Sequence, residues 1–311
     1  MQNTHISSGS TELRNFARLG LTKKLTPYAY LSPTLLLLTM LSLIPIVTVF
    51  LYSLVDNVII TNKPSLFVGL KNYIDIISSV NFRQALGNTL FFSATSVVAH
   101  LLLGLLFATL LNSRVIGIVP KAIFRVIYIL PWVFTASVIA ILWRLMLNPN
   151  GVVNYLLIGL GLAHEEIEWL SSRQLALPAV IFINVWAGYP FYMVSLLAGL
   201  QGISDDFYEA GKIDGANGVQ LFRFITLPQL KPIIVSLALL DFIWTTHQFT
   251  LIWMTTGGGP IRSTEMLSTF TYKLAFSSNQ FSQASTAAMV ILAISTFVAL
   301  FYVRNQRLAD E

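Results

Sequence analysis

Two groups of residues in this chain have types and spacings that could do chemistry. Asn184, Gly188 and Phe191 stand at i, i+4 and i+7; Asp241, Thr245 and Gln248 repeat that spacing, with Trp244 and His247 alongside. On a helix each set makes one stripe. Carboxamides both donate and accept, a carboxylate accepts, and an indole offers a flat apolar face. Such groups suit a hydroxyl-rich ligand held by directional hydrogen bonds. Neither stripe contains Lys or Arg, which tilts the reading towards a neutral ligand. Asp241 is the sharpest point, because an acid in so apolar a run is costly and faces a cavity or a partner. It either meets a ligand hydroxyl or pairs with Arg, Lys or a backbone group across a subunit interface, with a proton relay as a third role. Asn184 either contacts ligand or bonds a neighbouring helix. His247 and Trp186 read as packing residues, and His100 as structural.

The second group is the segment 201–231, far longer than a minimal link between two apolar runs. Ser204 and Asp205 can cap a short helix, Gly215 and Gly218 punctuate it, and Asn217 followed by Gln220 resembles a capping box opening a second. Pro228 and Pro232 are expected to close the segment. Phe207, Tyr208, Leu221 and Phe222 are left for a partner, which the small residues Ala210, Gly211, Gly215 and Ala216 would let approach closely.

Other chemistry is absent from the sequence. There is no Gly-x-x-x-x-Gly-Lys-Ser/Thr phosphate loop, so the chain is not expected to hydrolyse ATP, and no nucleophile–base or paired-carboxylate arrangement stands out. Cysteine is absent and the four histidines are scattered, so no metal cluster is expected.

The elements that position these residues follow from composition. The chain has 311 residues, 55% hydrophobic and 11% charged, with mean hydropathy +0.71. A soluble domain carries roughly 25% charged residues, so this surface must face lipid. Six runs reach the length of about 20 apolar residues that a span requires: 31–54, 87–111, 122–145, 174–200, 233–254 and 284–303. The expected fold is therefore all-α, a six-helix membrane bundle. Its polar segment 1–30 precedes a single transmembrane domain, 31–311, and the first run reads as a retained helix. Lys and Arg divide twelve against seven between the two sets of connections, the larger set holding both termini and the 201–231 segment. Both termini are thus expected in the cytoplasm. Basic residues are not clustered, so no nucleic-acid partner is expected. Trp132, Trp143, Trp169 and Trp253 fall near the outer face, where two or three read as interfacial anchors.

Glu209-Ala210-Gly211, then Gly215, then Ile225-Thr226-Leu227-Pro228 closely resembles the "EAA" loop of binding-protein-dependent ABC-importer permeases. Lys212-Ile213-Asp214-Gly215-Ala216 looks like the sugar-transporting, maltose-type branch; Asn184-Val185-Trp186 with Gly188 and Pro190, and Thr256-Gly257-Gly258-Gly259-Pro260, add to it. Gly211 departs from the family's usual Ala. The resemblance implies an inner-membrane permease that pairs with a second, homologous permease. It would dock Glu209, Ala210, Gly211, Asp214, Gly215, Leu227 and Pro228 against one of two cytoplasmic ATPase subunits, and receive a sugar from a periplasmic binding protein. ATP and magnesium would sit in the ATPase and no cofactor in this chain. The two polar stripes would then line the substrate cavity. Other solutes (a polyol, a glycerol phosphate, a uronic-acid oligomer) and a proton-coupled carrier using Asp241 and His247 are the alternatives.

Overall fold

The computed structural model describes residues 26–28, 30–56, 64–113 and 115–310, with side chains as far as Arg304. The segment 1–25, Lys63 and Arg114, which enter the charge count, and the side chain of Arg307 lie outside the described residues. The chain divides into two compact units, 1–52 and 53–311. In the first, helix α1 (Tyr30–Ser53) reaches a mean hydropathy of 2.5 and contains a π turn, Thr39–Leu43, just before Pro45. Thr39 and Thr48 donate to the carbonyls of Leu35 and Ile44, so their hydroxyls are satisfied within the helix.

The second unit opens with a two-residue antiparallel pair, β1 (Val55–Asp56) and β2 (Leu66–Phe67). The helices that follow are α2 (Lys71–Ser78), α3 (Val80–Asn112), α4 (Ile118–Val133), α5 (Ala136–Met146), α6 (Val152–Gly159), α7 (Ala176–Gln201) and α8 (Asp205–Ile213). Then come α9 (Gly218–Thr246), α10 (Thr250–Thr255), α11 (Leu267–Tyr272) and α12 (Phe281–Asp310). Among the described residues, five helices are long and apolar enough to cross a membrane, six if α4 and α5 count as one bent span.

Helix α3 reverses the pattern of a water-soluble helix. Thr89, Ser93, Ser96 and His100 are buried while Phe91, Val98, Leu102 and Leu106 point outward. That is how a helix in lipid is ordered, with polar groups turned inside the protein. It packs along α7, and Gly104 marks the closest approach: a β-carbon there would overlap that of Tyr192 and lie 3.0 Å from the backbone nitrogen of Met193. Tyr192, Met193 and Leu196 of α7 and Leu230 of α9 form the core around this crossing.

Three expectations are corrected. The run 122–145 is two helices, α4 and α5, meeting at 98°. Pro131 lies inside α4, which ends at Val133; Phe134 and Thr135 are extended, and the Thr135 hydroxyl accepts from the amide of Val138 to start α5. Pro228 and Pro232 do not close the 201–231 segment. Helix α9 starts at Gly218 and runs through both prolines, with a π turn at Phe222–Thr226 just ahead of Pro228. One extra residue in that turn accommodates backbone groups that a proline leaves without a donor. Finally, the run 233–254 breaks after Thr246. There the Thr246 hydroxyl and His247 Nδ1 bond the carbonyls of Phe242 and Ile243, so side chains take over the last turn.

Two of the four tryptophans named as candidate anchors have partners inside the fold. Trp143 is buried edge-on against Trp186 and Phe182, and Trp169 Nε1 donates to Asn154 Oδ1 at 2.9 Å. At the end of the unit where α3 begins, the 256–266 strap turns through Gly257 and Gly258, both at positive φ. It is held by Asn88, whose amide donates to the carbonyls of Arg262 and Glu265. Glu265 is buried and paired with Lys273 at 2.8 Å.

Candidate functional site

A cavity of about 210 Å³ opens where α3, the α4–α5 bend, α7 and α9 meet. Six of the seven candidates from the two stripes line it: Asn184, Gly188, Asp241, Trp244, Thr245 and Gln248. Phe191 does not; it packs on Trp244, ring centroids 5.4 Å apart. Gln248 arrives by a different route than helical spacing implied, because it lies beyond the end of α9 in the turn before α10. Its Nε2 donates to Asn184 Oδ1 at 3.4 Å. Asn184 Nδ2 is buried in the wall with no partner, and an unmet buried donor is costly.

The side chain that organises this wall is His100, which reads from the sequence as merely structural. Its Nε2 donates to the backbone carbonyl of Asn184 at 3.0 Å, and its Nδ1 lies 2.8 Å from Asp241 Oδ2. The other carboxylate oxygen of Asp241 accepts from Thr245 Oγ1 at 3.0 Å. Asp241 therefore finds its partners within this chain, neither of them the Arg, Lys or backbone group weighed from the sequence. Gly188 makes the arrangement fit, since a β-carbon there would overlap the His100 ring. Sequence reading also missed Trp132 and Phe134, which reach the cavity only because α4 and α5 bend. His247 is exposed and bonds its own helix, with Ser295 Oγ at 3.4 Å. Among the described residues, no group of three potential metal ligands occurs.

The segment between α7 and α9 is ordered by its own sequence. Ser204 accepts from the amide of Asp206, and Asp205 and Asp206 occupy the first turn of α8, where negative charge suits the helix dipole. The helix ends in a Schellman motif: Ala216 N–H donates to Gly211 and Gly215 N–H to Lys212. Gly215 takes φ +81°, the left-handed conformation that this motif requires. Asn217 and Gln220 then form the capping box, with bonds of 2.7 and 3.0 Å. Small size serves two ends within this chain. Open space surrounds Gly215, whereas Gly211 seats Leu221 and Ile225 of its own chain where a β-carbon would be. Phe207, Ile213, Val219 and Phe224 remain exposed; Tyr208 turns inward, bonding Thr226 at 3.0 Å.

A membrane bundle with a polar cavity among its helices and a capped helical segment between two spans is the build of a transport permease. Residues 100–309 match the family model of the binding-protein-dependent transport system inner membrane component, and the chain belongs to that family. It is 34% identical over 292 residues to a probable ABC transporter permease protein of Brucella suis, covering 92% of this chain and 98% of that one. It is 37% identical over 243 residues to the trehalose/maltose transport system permease protein MalF of Thermococcus litoralis, covering 78% and 80%. Among solved structures, a bacterial ABC transporter involved in import of the acidic polysaccharide alginate shares the fold, with a TM-score of 0.80 at 23% identity over 96% of this chain and 100% of that one. The protein is thus the multi-pass permease component of a binding-protein-dependent ABC importer, and the ATPase is a separate subunit.

Proposed function

We propose that this permease carries a neutral sugar or oligosaccharide across the inner membrane by alternating access, through the cavity beneath Asn184. The observation that carries the reading is the unmet Asn184 Nδ2, set in a wall beside Gln248 and the rings of Trp132 and Trp244. Directional donors beside flat apolar faces are what a sugar requires. Among the residues lining the cavity there is no Lys or Arg, which disfavours an anionic solute. The relative named as a trehalose/maltose permease supports the same class.

In this reading residues 31–311 act as one transmembrane domain with both termini in the cytoplasm, beside a second homologous permease and two ATPase subunits. Those subunits hold the ATP and magnesium, and this chain holds no cofactor. Its other contacts are lipid, the sugar and a periplasmic binding protein, with no nucleic acid. The exposed rim of α8 and the start of α9, from Glu209 and Ala210 through Asp214 to Leu227 and Pro228, docks on the ATPase. Gly211 and Gly215 shape that rim from within. Proteoliposomes holding the full complex should take up sugar only with ATP and its loaded binding protein, and vanadate should stop it. Uptake driven by a proton gradient without ATP would overturn the reading.

A further inference from the structure

We propose that His100 is a positioning residue that cancels the charge of Asp241 and fixes the Asn184 backbone, so that the cavity wall faces its ligand uncharged. This rests on the reading that the cavity takes a neutral solute. It goes further in assigning that selectivity to a side chain of α3, outside both stripes.

Donors and acceptors fix how many protons the pair holds. The Asn184 carbonyl can only accept, so His100 Nε2 carries a proton. The 2.8 Å contact between Nδ1 and Asp241 Oδ2 must then hold one further proton between them. Wherever that proton sits, histidine and aspartate together have no net charge. Thr245 occupies the second carboxylate oxygen, so this chain already engages both. Among the described residues, Asp241 is the one acid lining the cavity, and no Lys or Arg joins it there. His100 is therefore the group that balances it. Both residues are buried, where a charge left without its partner is strongly disfavoured. Gly188 leaves the space in which the imidazole lies.

The native chain has no cysteine, which allows a charge measurement that needs no substrate. Ala187→Cys places a thiol on the cavity wall. Its rates of reaction with cationic and anionic methanethiosulfonates of similar size are compared in the assembled complex. In the Ala187→Cys background, read at a pH high enough to ionise the unpaired Asp241 carboxyl, His100→Gln should shift the rate ratio towards the cation by about tenfold or more, as one unpaired charge within roughly 8–10 Å does at an effective dielectric of about 20. The glutamine amide can donate to the Asn184 carbonyl, but its own carbonyl then faces the Asp241 carboxylate. Adding Asp241→Asn supplies an amide donor to that carbonyl and removes the charge, so the double variant should return to the parental ratio. A role in packing alone predicts no shift with His100→Gln and no rescue, and that result overturns the proposal. So does a shift that the double variant fails to reverse. If His100→Gln alone does not assemble, recovery of assembly in the double variant supports the pairing, and failure to recover it refutes the pairing. A permease carrying some other solute would leave these ratios untouched, so the substrate reading and this inference fail separately.

Discussion

Gly104→Ala should destabilise the subunit by about 1–3 kcal/mol, the usual cost of forcing extra volume into a packed interior, and the upper end is expected. The added methyl would overlap the Tyr192 β-carbon and press on backbone atoms of Tyr192 and Met193 at 3.0–3.1 Å. Backbone cannot rotate away as a side-chain tip can, so α3 and α7 must separate. These two helices carry His100 and Asn184, so their separation would also open the cavity wall. Gly87→Ala on the same helix is the control. Open space surrounds Gly87, and alanine improves helix propensity by about 1 kcal/mol. Thermal melting of the purified complex should show a clear fall for Gly104→Ala and none for Gly87→Ala. Equal melting of the two variants would contradict the close crossing.

Gly215→Leu should abolish transport while leaving the subunit inserted and expressed. At φ +81° a leucine β-carbon meets the following carbonyl, at a cost of roughly 1–2 kcal/mol. The Schellman bonds from Ala216 and Gly215 would give way before the rest of the fold does, because this segment lies at an exposed helix end. Helix α8 would then lose its fixed angle to α9, and with it the rim that is proposed to meet the ATPase. Asparagine tolerates the left-handed region, so Gly215→Asn should retain most of the transport rate. Measuring ATP hydrolysis alongside uptake separates loss of coupling from loss of assembly. Normal uptake and normal co-purification of Gly215→Leu would contradict a docking role for this segment.

Much of this was legible in the residues because local rules fix it. Long uncharged runs specified helices, and Ser204, Asn217 and Gln220 marked helix starts whose caps depend only on near neighbours. What escaped reading depends on distant contacts or on how prolines act in context. The span that holds Pro131 breaks beyond it, at the extended pair Phe134–Thr135 and the Thr135 cap, whereas α9 runs on through Pro228 and Pro232. His100 looked structural because its partners, Asn184 and Asp241, lie 84 and 141 residues away. One signal was available: a lone histidine in an otherwise uncharged run needs polar partners within the bundle. Gln248 was grouped with the other cavity-lining residues by a spacing argument that its position beyond α9 does not satisfy.

The most direct test of the account lies in the two carboxamides that face the cavity. Asn184→Ala removes an amide whose Nδ2 has no partner in the protein, yet keeps the backbone carbonyl to which His100 donates. Gln248→Ala removes the neighbouring donor from a turn rather than from a spanning helix. Losing a desolvated hydrogen bond costs about 1–3 kcal/mol, so each change should slow sugar uptake per assembled complex roughly five- to hundredfold. The order of preference among related sugars should change as well. Complex yield and melting temperature should stay near those of the parent. The account is contradicted if both variants transport at the parental rate with unaltered preference, or if each loses only yield and stability.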